Sequence, residues 1–366
     1  MSTSNDNSGF ESFKEPEEQG KIVKCSSCGG NMSFDPATQT LVCEYCGNSV
    51  DFEKSKKVEE IAIEKAFATT KKWDDAITVR CDNCGAKVVI PANEVATTCP
   101  YCGTAQIKKT EEIAGVRPNA VYPFTITEKD AEEDAKTWCK KKIFAPRDFK
   151  KHISSESLKG VFQPCFTFDS DTFSTYNGVV GKTKTRTVGS GKNRRVETYV
   201  EWQHISGTFS LFFDDVTIAA SEEFDQKKLK KMMPFNIETI VVYEKKYLAG
   251  YVANHYDKDI KSAWDDAKAI MDKDIRNDIV SNYDCDVVDY LNVSTSHNNV
   301  TYKYVLMPVY LLNYRYHKKD YTVYVNGNTG KVAGKTPISP LRVAITVLLG
   351  IGLIVGIVWL AINGSP

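Results

Sequence analysis

The sequence lacks net charge. Its 47 lysines and arginines are balanced by 47 aspartates and glutamates over 366 residues. Such a chain has no global attraction to nucleic acid or anionic lipid, so any such attraction must be local. Histidine is scarce. The five residues His152, His204, His255, His297 and His317 are scattered, and none stands in an H-E-x-x-H motif, so each reads as a surface or loop residue. There is no G-x-S-x-G nucleophile elbow. Gly181-Lys182-Thr183 imitates the end of a phosphate-binding loop, but the position that needs the first glycine is Tyr176. The acid pairs Asp214-Asp215 and Asp265-Asp266 are what a chain with 26% charged residues carries by composition. The expectation is a non-enzymatic protein; a hydrolase has no support beyond the size of the central domain. The first twenty residues hold no apolar run, so no signal peptide is expected. The cysteines are then expected in a reducing compartment, where closely spaced pairs bind metal.

Cysteine itself is abundant. Eight of the eleven form two sets of one pattern: Cys25-x-x-Cys28 with Cys43-x-x-Cys46, and Cys81-x-x-Cys84 with Cys99-x-x-Cys102. Fourteen residues separate the pairs in each set, enough for one strand out and one strand back. Glycine follows the second cysteine of every pair (Gly29, Gly47, Gly85, Gly103), where a residue without Cβ can turn left-handed and aim backbone N–H groups at the thiolates. Four thiolates leave no open coordination position, so the expected cofactors are two structural zinc ions. Metal binding should supply much of the folding energy of modules with so few apolar residues. Disulfides and iron–sulfur ligation are the alternatives. Cys139, Cys165 and Cys285 have no ligand-spaced partner and read as buried small apolar residues.

Composition divides the chain. Residues 1–20 read as a disordered tail, 21–52 as a first zinc ribbon, 53–72 as a linking helix with Val58, Ile61 and Phe67 on one stripe, and 73–110 as a second ribbon. Residues 111–335 read as an α+β domain of two related halves. A helix capped by Thr127, with Ala131, Ala135 and Trp138 on one face, precedes a strand opening Val161-x-x-Pro164. A second helix, with Ile260, Ala263, Trp264, Ala267, Ile270 and Met271, precedes a strand opening Val305-x-x-Pro308. That strand alternates through Tyr310, Leu312, Tyr314 and Tyr316, then turns and returns through Tyr321, Val323 and Val325. The predicted fold class is therefore α+β: two small β ribbons, a central domain with an internal repeat, and one C-terminal transmembrane helix. The last element is residues 343–362, twenty residues without a charge and roughly 30 Å long as a helix. Lys331, Lys335 and Arg342 precede it and no charge follows, which predicts a single-pass protein of the cytoplasmic membrane with its N-terminal domains in the cytoplasm. Gly352-x-x-x-Gly356 offers a route to a homo-oligomer.

One segment is strongly basic. Residues 181–195 hold Lys182, Lys184, Arg186, Lys192, Arg194 and Arg195 and no acid, in a pattern that predicts a hairpin. It could contact phosphates of nucleic acid or of lipid headgroups, or it could be a hairpin kept soluble by its charge. Aromatic residues do not interleave with the basic ones, which argues against base stacking.

The motifs CSSCGG…CEYCG and CDNCGA…CPYCG resemble the zinc ribbons of transcription factor B and of many nucleic-acid proteins. Together with RPNAVYPFTITEKDA, VLMPVYLLNYRYHKKDYTVYVNGNTGKVAGKTPIS and the terminal apolar helix, the chain over about residues 21–362 is similar to the bacterial family labelled TFIIB-type zinc ribbon-containing proteins. Members can be encoded beside flotillin-like SPFH and PspA-like membrane-stress proteins, and some carry replication or helicase labels. The resemblance implies a membrane-anchored adaptor that presents protein-interaction surfaces, with SPFH/PspA-like proteins and membrane lipid as partners. The alternative is a membrane-tethered DNA- or RNA-binding protein serving replication or transcription. The resemblance transfers no catalytic residue.

Overall fold

The computed structural model describes residues 24–51, 57–68, 76–91, 99–102, 104, 107–113, 117–152, 158–316 and 319–363. The tail expected over 1–20 lies outside them. The first cysteine module is a small antiparallel sheet of its own: β1 (Met32–Asp35), β2 (Thr40–Cys43) and β3 (Ser49–Val50), in the order β1-β2-β3. Its strands alternate with period two, so Met32, Phe34, Leu41 and Cys43 are buried together. Then come β4 (Ile61–Ala62) and α1 (Ile63–Ala68). Among the described residues the helix expected over 53–72 is confined to this single short element. Val58 and Ile61, read as part of its stripe, lie before it.

The second module comprises β5 (Ala76–Cys81), β6 (Lys87–Pro91) and β7 (Ile107–Ile113), the last of which crosses the expected boundary at residue 110. After it follow β8 (Ala120–Val121), α2 (Glu128–Lys140), α3 (Arg147–His152), β9 (Lys159–Val188), β10 (Arg195–Ala219) and α4 (Gln226–Met232). The remainder is β11 (Val241–Val242), β12 (Val252–Asn254), α5 (Ile260–Ser281), β13 (Val287–Tyr316), β14 (Lys319–Asn326), β15 (Val332–Gly334) and α6 (Pro340–Asn363). The helix ends follow the sequence closely. Thr127 and Asp130 form a capping box on α2, and Asp259 caps α5 by accepting from the Ser262 N–H at 2.7 Å.

One large sheet organises the chain, with strands in the order β11-β8-β13-β9-β12-β6-β5-β7. At its centre β9 and β13 run antiparallel, Gln163 opposite Met307. Both faces are covered, so these strands are apolar on both sides. Phe162, Phe166, Phe168, Tyr304, Leu306 and Tyr310 face the layer holding α2, α5 and the first cysteine module. Val161, Cys165, Val305, Met307 and Val309 face α4. The two V-x-x-P segments lie side by side, and each proline marks a change of neighbour. Strand β9 pairs in parallel with β12 at Val161–Phe162, then antiparallel with β10 from Cys165. Strand β13 pairs in parallel with β8 at Val305–Leu306, then antiparallel with β14 from Val309. A residue without an N–H is tolerated where one ladder ends and the next begins.

Beyond this core, β10, β9 and β13 continue as a three-stranded antiparallel arm. Helix α5, roughly 33 Å long, covers one face of it: Ile275 and Ile279 pack on Val180, Ile205 and Leu291, and the Tyr176 and Tyr283 hydroxyls meet at 2.8 Å. The other face is lined by Ser, Thr and Asn and carries exposed Phe173, Trp202, Phe212 and Tyr290.

A buried charge cluster ties β4 to the core. Lys303, 6% exposed, lies 2.7 Å from Asp215, 3.2 Å from Glu60 and 3.7 Å from Asp169. With the Thr301–Ala62 and Tyr302–Ile61 pairs, it explains why the segment before α1 is extended rather than helical.

Candidate metal centres

Each cysteine pair sits in a tight turn of one repeating form. The cysteine that opens it donates its N–H to the carbonyl five residues on: Cys25 to Gly30 at 2.8 Å, Cys43 to Asn48 at 2.9 Å, Cys81 to Ala86 at 3.0 Å and Cys99 to Thr104 at 2.8 Å. The glycine after the second cysteine donates back to the first: Gly29 to Cys25, Gly47 to Cys43 and Gly85 to Cys81. These glycines have φ of 75°, 71° and 79°, a region that L side chains enter only with strain. Gly103 lies outside the described residues.

These turns bring the sulfurs together in two groups of four, Cys25, Cys28, Cys43, Cys46 and Cys81, Cys84, Cys99, Cys102, with all Sγ atoms of a group within 4.8 Å of one another. Across the turns, Cys25 and Cys46 are 3.4 Å apart, Cys28 and Cys43 3.5 Å, and Cys81–Cys102 and Cys84–Cys99 both 3.6 Å. A disulfide requires about 2.05 Å. A tetrahedron of Zn–S bonds of about 2.3 Å has edges of roughly 3.8 Å, so the geometry fits a metal ion at the centre of each group. Four soft sulfur donors, which together complete a tetrahedron, are consistent with zinc in a structural role. In the first module the surroundings favour thiolate at the two buried cysteines, while hydrogen bonding among the sulfurs pushes the exposed Cys28 and Cys46 up. Hydrogen bonds from the Cys28 and Ser27 N–H groups draw the Cys25 thiol down to about 6. The Cys46 and Tyr45 N–H groups lower Cys43 in the same way, against its burial. In both modules the first cysteine of each pair is buried and the second exposed.

The other sequence-singled residues are dispersed. The hairpin over 181–195 forms, with Val188 opposite Arg195. Its cations are mostly paired at home: Lys182 with Asp284, Lys184 with Glu201, and Arg186 and Arg195 with Glu197 at 3.3 and 2.8 Å. Asp284 and Glu201 raise the pKa values of the Lys182 and Lys184 ammoniums accordingly. Arg194 is exposed, and the Lys192 side chain lies outside what is described. Cys139 and Cys165 are buried at 2% and 0% exposure, and Cys285 is half-buried. His297 packs against Trp264 with Asp272 at 3.3 Å, and burial lowers its pKa. The Lys303 cluster was not read from the sequence; its members are far apart in the chain, and no local spacing links them.

Helix α6 is long and apolar enough to cross a membrane. Residues Pro340–Trp359 have a mean hydropathy of 2.5, and none of that stretch is buried within the protein. Gly352 and Gly356 have open space beside them.

The class these features define is a mixed α+β protein with two four-cysteine metal centres and one apolar C-terminal helix. Over 324 residues, 88% of this chain and 91% of the relative, it is 32% identical to the uncharacterized protein YdjG of Bacillus subtilis (strain 168), and the chain belongs to the YdjG family. No family model matches it. No solved structure matches it.

Proposed function

We propose that the chain is a non-enzymatic adaptor, anchored by α6 in a cytoplasmic membrane and presenting its arm to protein partners on the cytoplasmic side. In this reading the two four-cysteine modules are zinc ribbons of the TFIIB type, and zinc holds them in shape. The observation that carries the reading is the second face of the arm, which no element covers among the described residues. Four large aromatics, Phe173, Trp202, Phe212 and Tyr290, stand 44–59% exposed on a face where Ser, Thr and Asn predominate beside Val179 and His204. Aromatic anchors on a rigid, polar surface are the usual make-up of a protein-binding patch. Lys331 and Lys335 before α6 and Arg342 in its first turn support the cytoplasmic orientation. The matched exchange of neighbours at Pro164 and Pro308 supports descent of the central domain from a duplicated unit. SPFH/PspA-like membrane proteins are the partners implied by the family resemblance. The nucleic-acid alternative draws less support, because Glu197, Glu201 and Asp284 already engage most of the hairpin's cations.

The test is purification of the full chain from membranes after gentle crosslinking. Specific proteins should accompany the wild type and be lost with Phe212→Asp, which leaves both metal sites intact. Recovery of nuclease-sensitive nucleic acid without a recurring protein would replace the adaptor with a tether for DNA or RNA.

A further inference from the structure

The turn that joins α2 to α3 is built against the usual chemistry of turns. The Lys142 N–H donates to Cys139 O and the Ala145 N–H to Lys142 O, both at 3.1 Å, so Ile143 and Phe144 occupy the two central positions. Those positions ordinarily take Gly, Asn, Asp, Ser or Pro. Here they hold two large apolar side chains that are 71% and 40% exposed. The turn is not loose. Ala145 and Phe149 behind it are buried at 1% and 0% exposure, which fixes the tip outward.

The tip is also tied to the start of α6. Ser339 N–H donates to Phe144 O at 2.9 Å, and the Arg342 guanidinium donates to Ile143 O at 2.9 Å. Ile338 and Leu341, on the α6 side, are 66% and 70% exposed. The uncharged run of α6 begins at Val343, so Arg342 stands at the level where a hydrocarbon core would give way to headgroups. Its hydrogen bond places Ile143 and Phe144 at that same level. Cations gather there. Lys140 and Lys141 end α2, Lys142 holds its ammonium 4.5 Å from the Trp138 ring centroid, and Arg147 and Arg342 line one cleft with Ile338 and Leu341. Asp148 is the acid lining the same cleft. Apolar side chains at a tip with lysine and arginine around them match the two layers of an anionic membrane surface.

We propose that the elbow Lys142–Arg147, together with the base of α6, is a second membrane contact seated among the headgroups of anionic phospholipid. The proposal rests on the reading that α6 crosses a membrane. The contact gives the chain two points on the bilayer, α6 and the elbow, which fixes the tilt of the domain as well as its distance from the surface.

The test uses the full chain in vesicles of phosphatidylcholine, with and without phosphatidylglycerol, doped with lipid brominated near the top of its acyl chains or near their ends. Quenching of Trp359, one of five tryptophans and read as the difference between the wild type and Trp359→Phe, reports on α6. The emission added by Ile143→Trp, a change at a highly exposed site, reports on the elbow, and Ile338→Trp repeats the reading from the other side. The added indole should lose roughly half or more of its emission to the shallow bromines, since such an element sits about 5–10 Å into the interface, and the loss should be greater with phosphatidylglycerol. If Trp359 is quenched while both added indoles emit as in water, the elbow proposal is overturned and the spanning reading stands; a protein cover for the elbow falls in this outcome. If none is quenched, both fall. Equal quenching with and without phosphatidylglycerol overturns the preference for anionic lipid.

Discussion

The two cysteine modules share one ligand spacing and one turn geometry, yet the protein uses them differently. The first keeps its own sheet and docks by two side chains and a backbone hydrogen bond. Phe34 meets the Tyr247 ring edge-on with centroids 5.5 Å apart, its N–H donates to Ala249 O at 3.0 Å, and the Gln39 amide donates to Phe124 O at 2.8 Å. The second is continuous with the central sheet, because β6 pairs with β12 through Val89–Ala253 and Val88–Asn254. The aromatic residue before the last cysteine shows the contrast in one position. Tyr45 is 80% exposed, whereas Tyr101 is half-buried and its hydroxyl lies 3.4 Å from the Gln163 amide. Loss of metal from the first module is thus a local event, and loss from the second opens an edge of the core sheet.

Paired substitutions test this most strongly. Cys28→Ser and Cys84→Ser both replace exposed ligands, so neither removes core packing directly. Each should lower bound zinc from two ions per chain to one, measured by elemental analysis. Only Cys84→Ser should also lower the main thermal transition, because structural zinc is worth on the order of 10 kcal/mol to the module it folds. Equal effects on that transition would erase the distinction between the modules.

The next largest effect is expected at Lys303. Lys303→Met leaves Asp169 and Asp215 facing each other in a buried site and should cost about 3–5 kcal/mol in denaturant unfolding. Proton linkage refines this. Burial, opposed by the Asp215 N–H and by Lys303, pushes the Asp169 carboxyl from 3.8 up to about 6. A raised acid contributes stability that is full below its unfolded value and is lost as pH rises through its folded value. Asp169→Asn should therefore gain on the wild type as pH rises from about 4 to above 6, read as the difference between their unfolding midpoints.

Phe34→Ala removes the docking ring of the first module and should cost about 3 kcal/mol of the docking contact. Zinc content should stay at two ions while amide exchange in β1 and β2 speeds up. A loss of zinc in this variant would show that docking and metal binding are one event. Gln39→Ala is the mildest change. It removes the bonds to Phe124 O and Pro36 O, both under 3 Å, and should cost about 1 kcal/mol, seen as a small rise in the same exchange rates.

The sequence made local features legible and left long-range ones hidden. Ligand spacing identified all eight cysteines, because a metal turn is a short-range object. The cap at Thr127 and the hairpin around 181–195 are equally local, and the apolar run of α6 announces itself by length alone. Helical spacing misled at Val58 and Ile61, where the pairing of Ile61 with Tyr302 and of Ala62 with Thr301 draws the segment out as a strand. The fusion of the second module to β12 had no signal either, since Val88 and Val89 look the same whether a strand ends a ribbon or joins a sheet. The acids that pair with the basic hairpin were visible as residues, but their registry against Lys184 and Arg186 needed the strand alignment.

The length of β9 has a mechanical consequence. The strand runs without a loop from the floor of the core at Val161 to the hairpin tip at Val188. At about 3.3 Å per residue that is roughly 90 Å of continuous chain. Its hydrogen bonds to β13 lie across that direction, from Lys159 to Gly181. A load applied at the tip along the arm must shear many of these bonds at once instead of peeling them singly. The arm is therefore stiff in tension, and a force on a partner held at its end is delivered to the centre of the sheet.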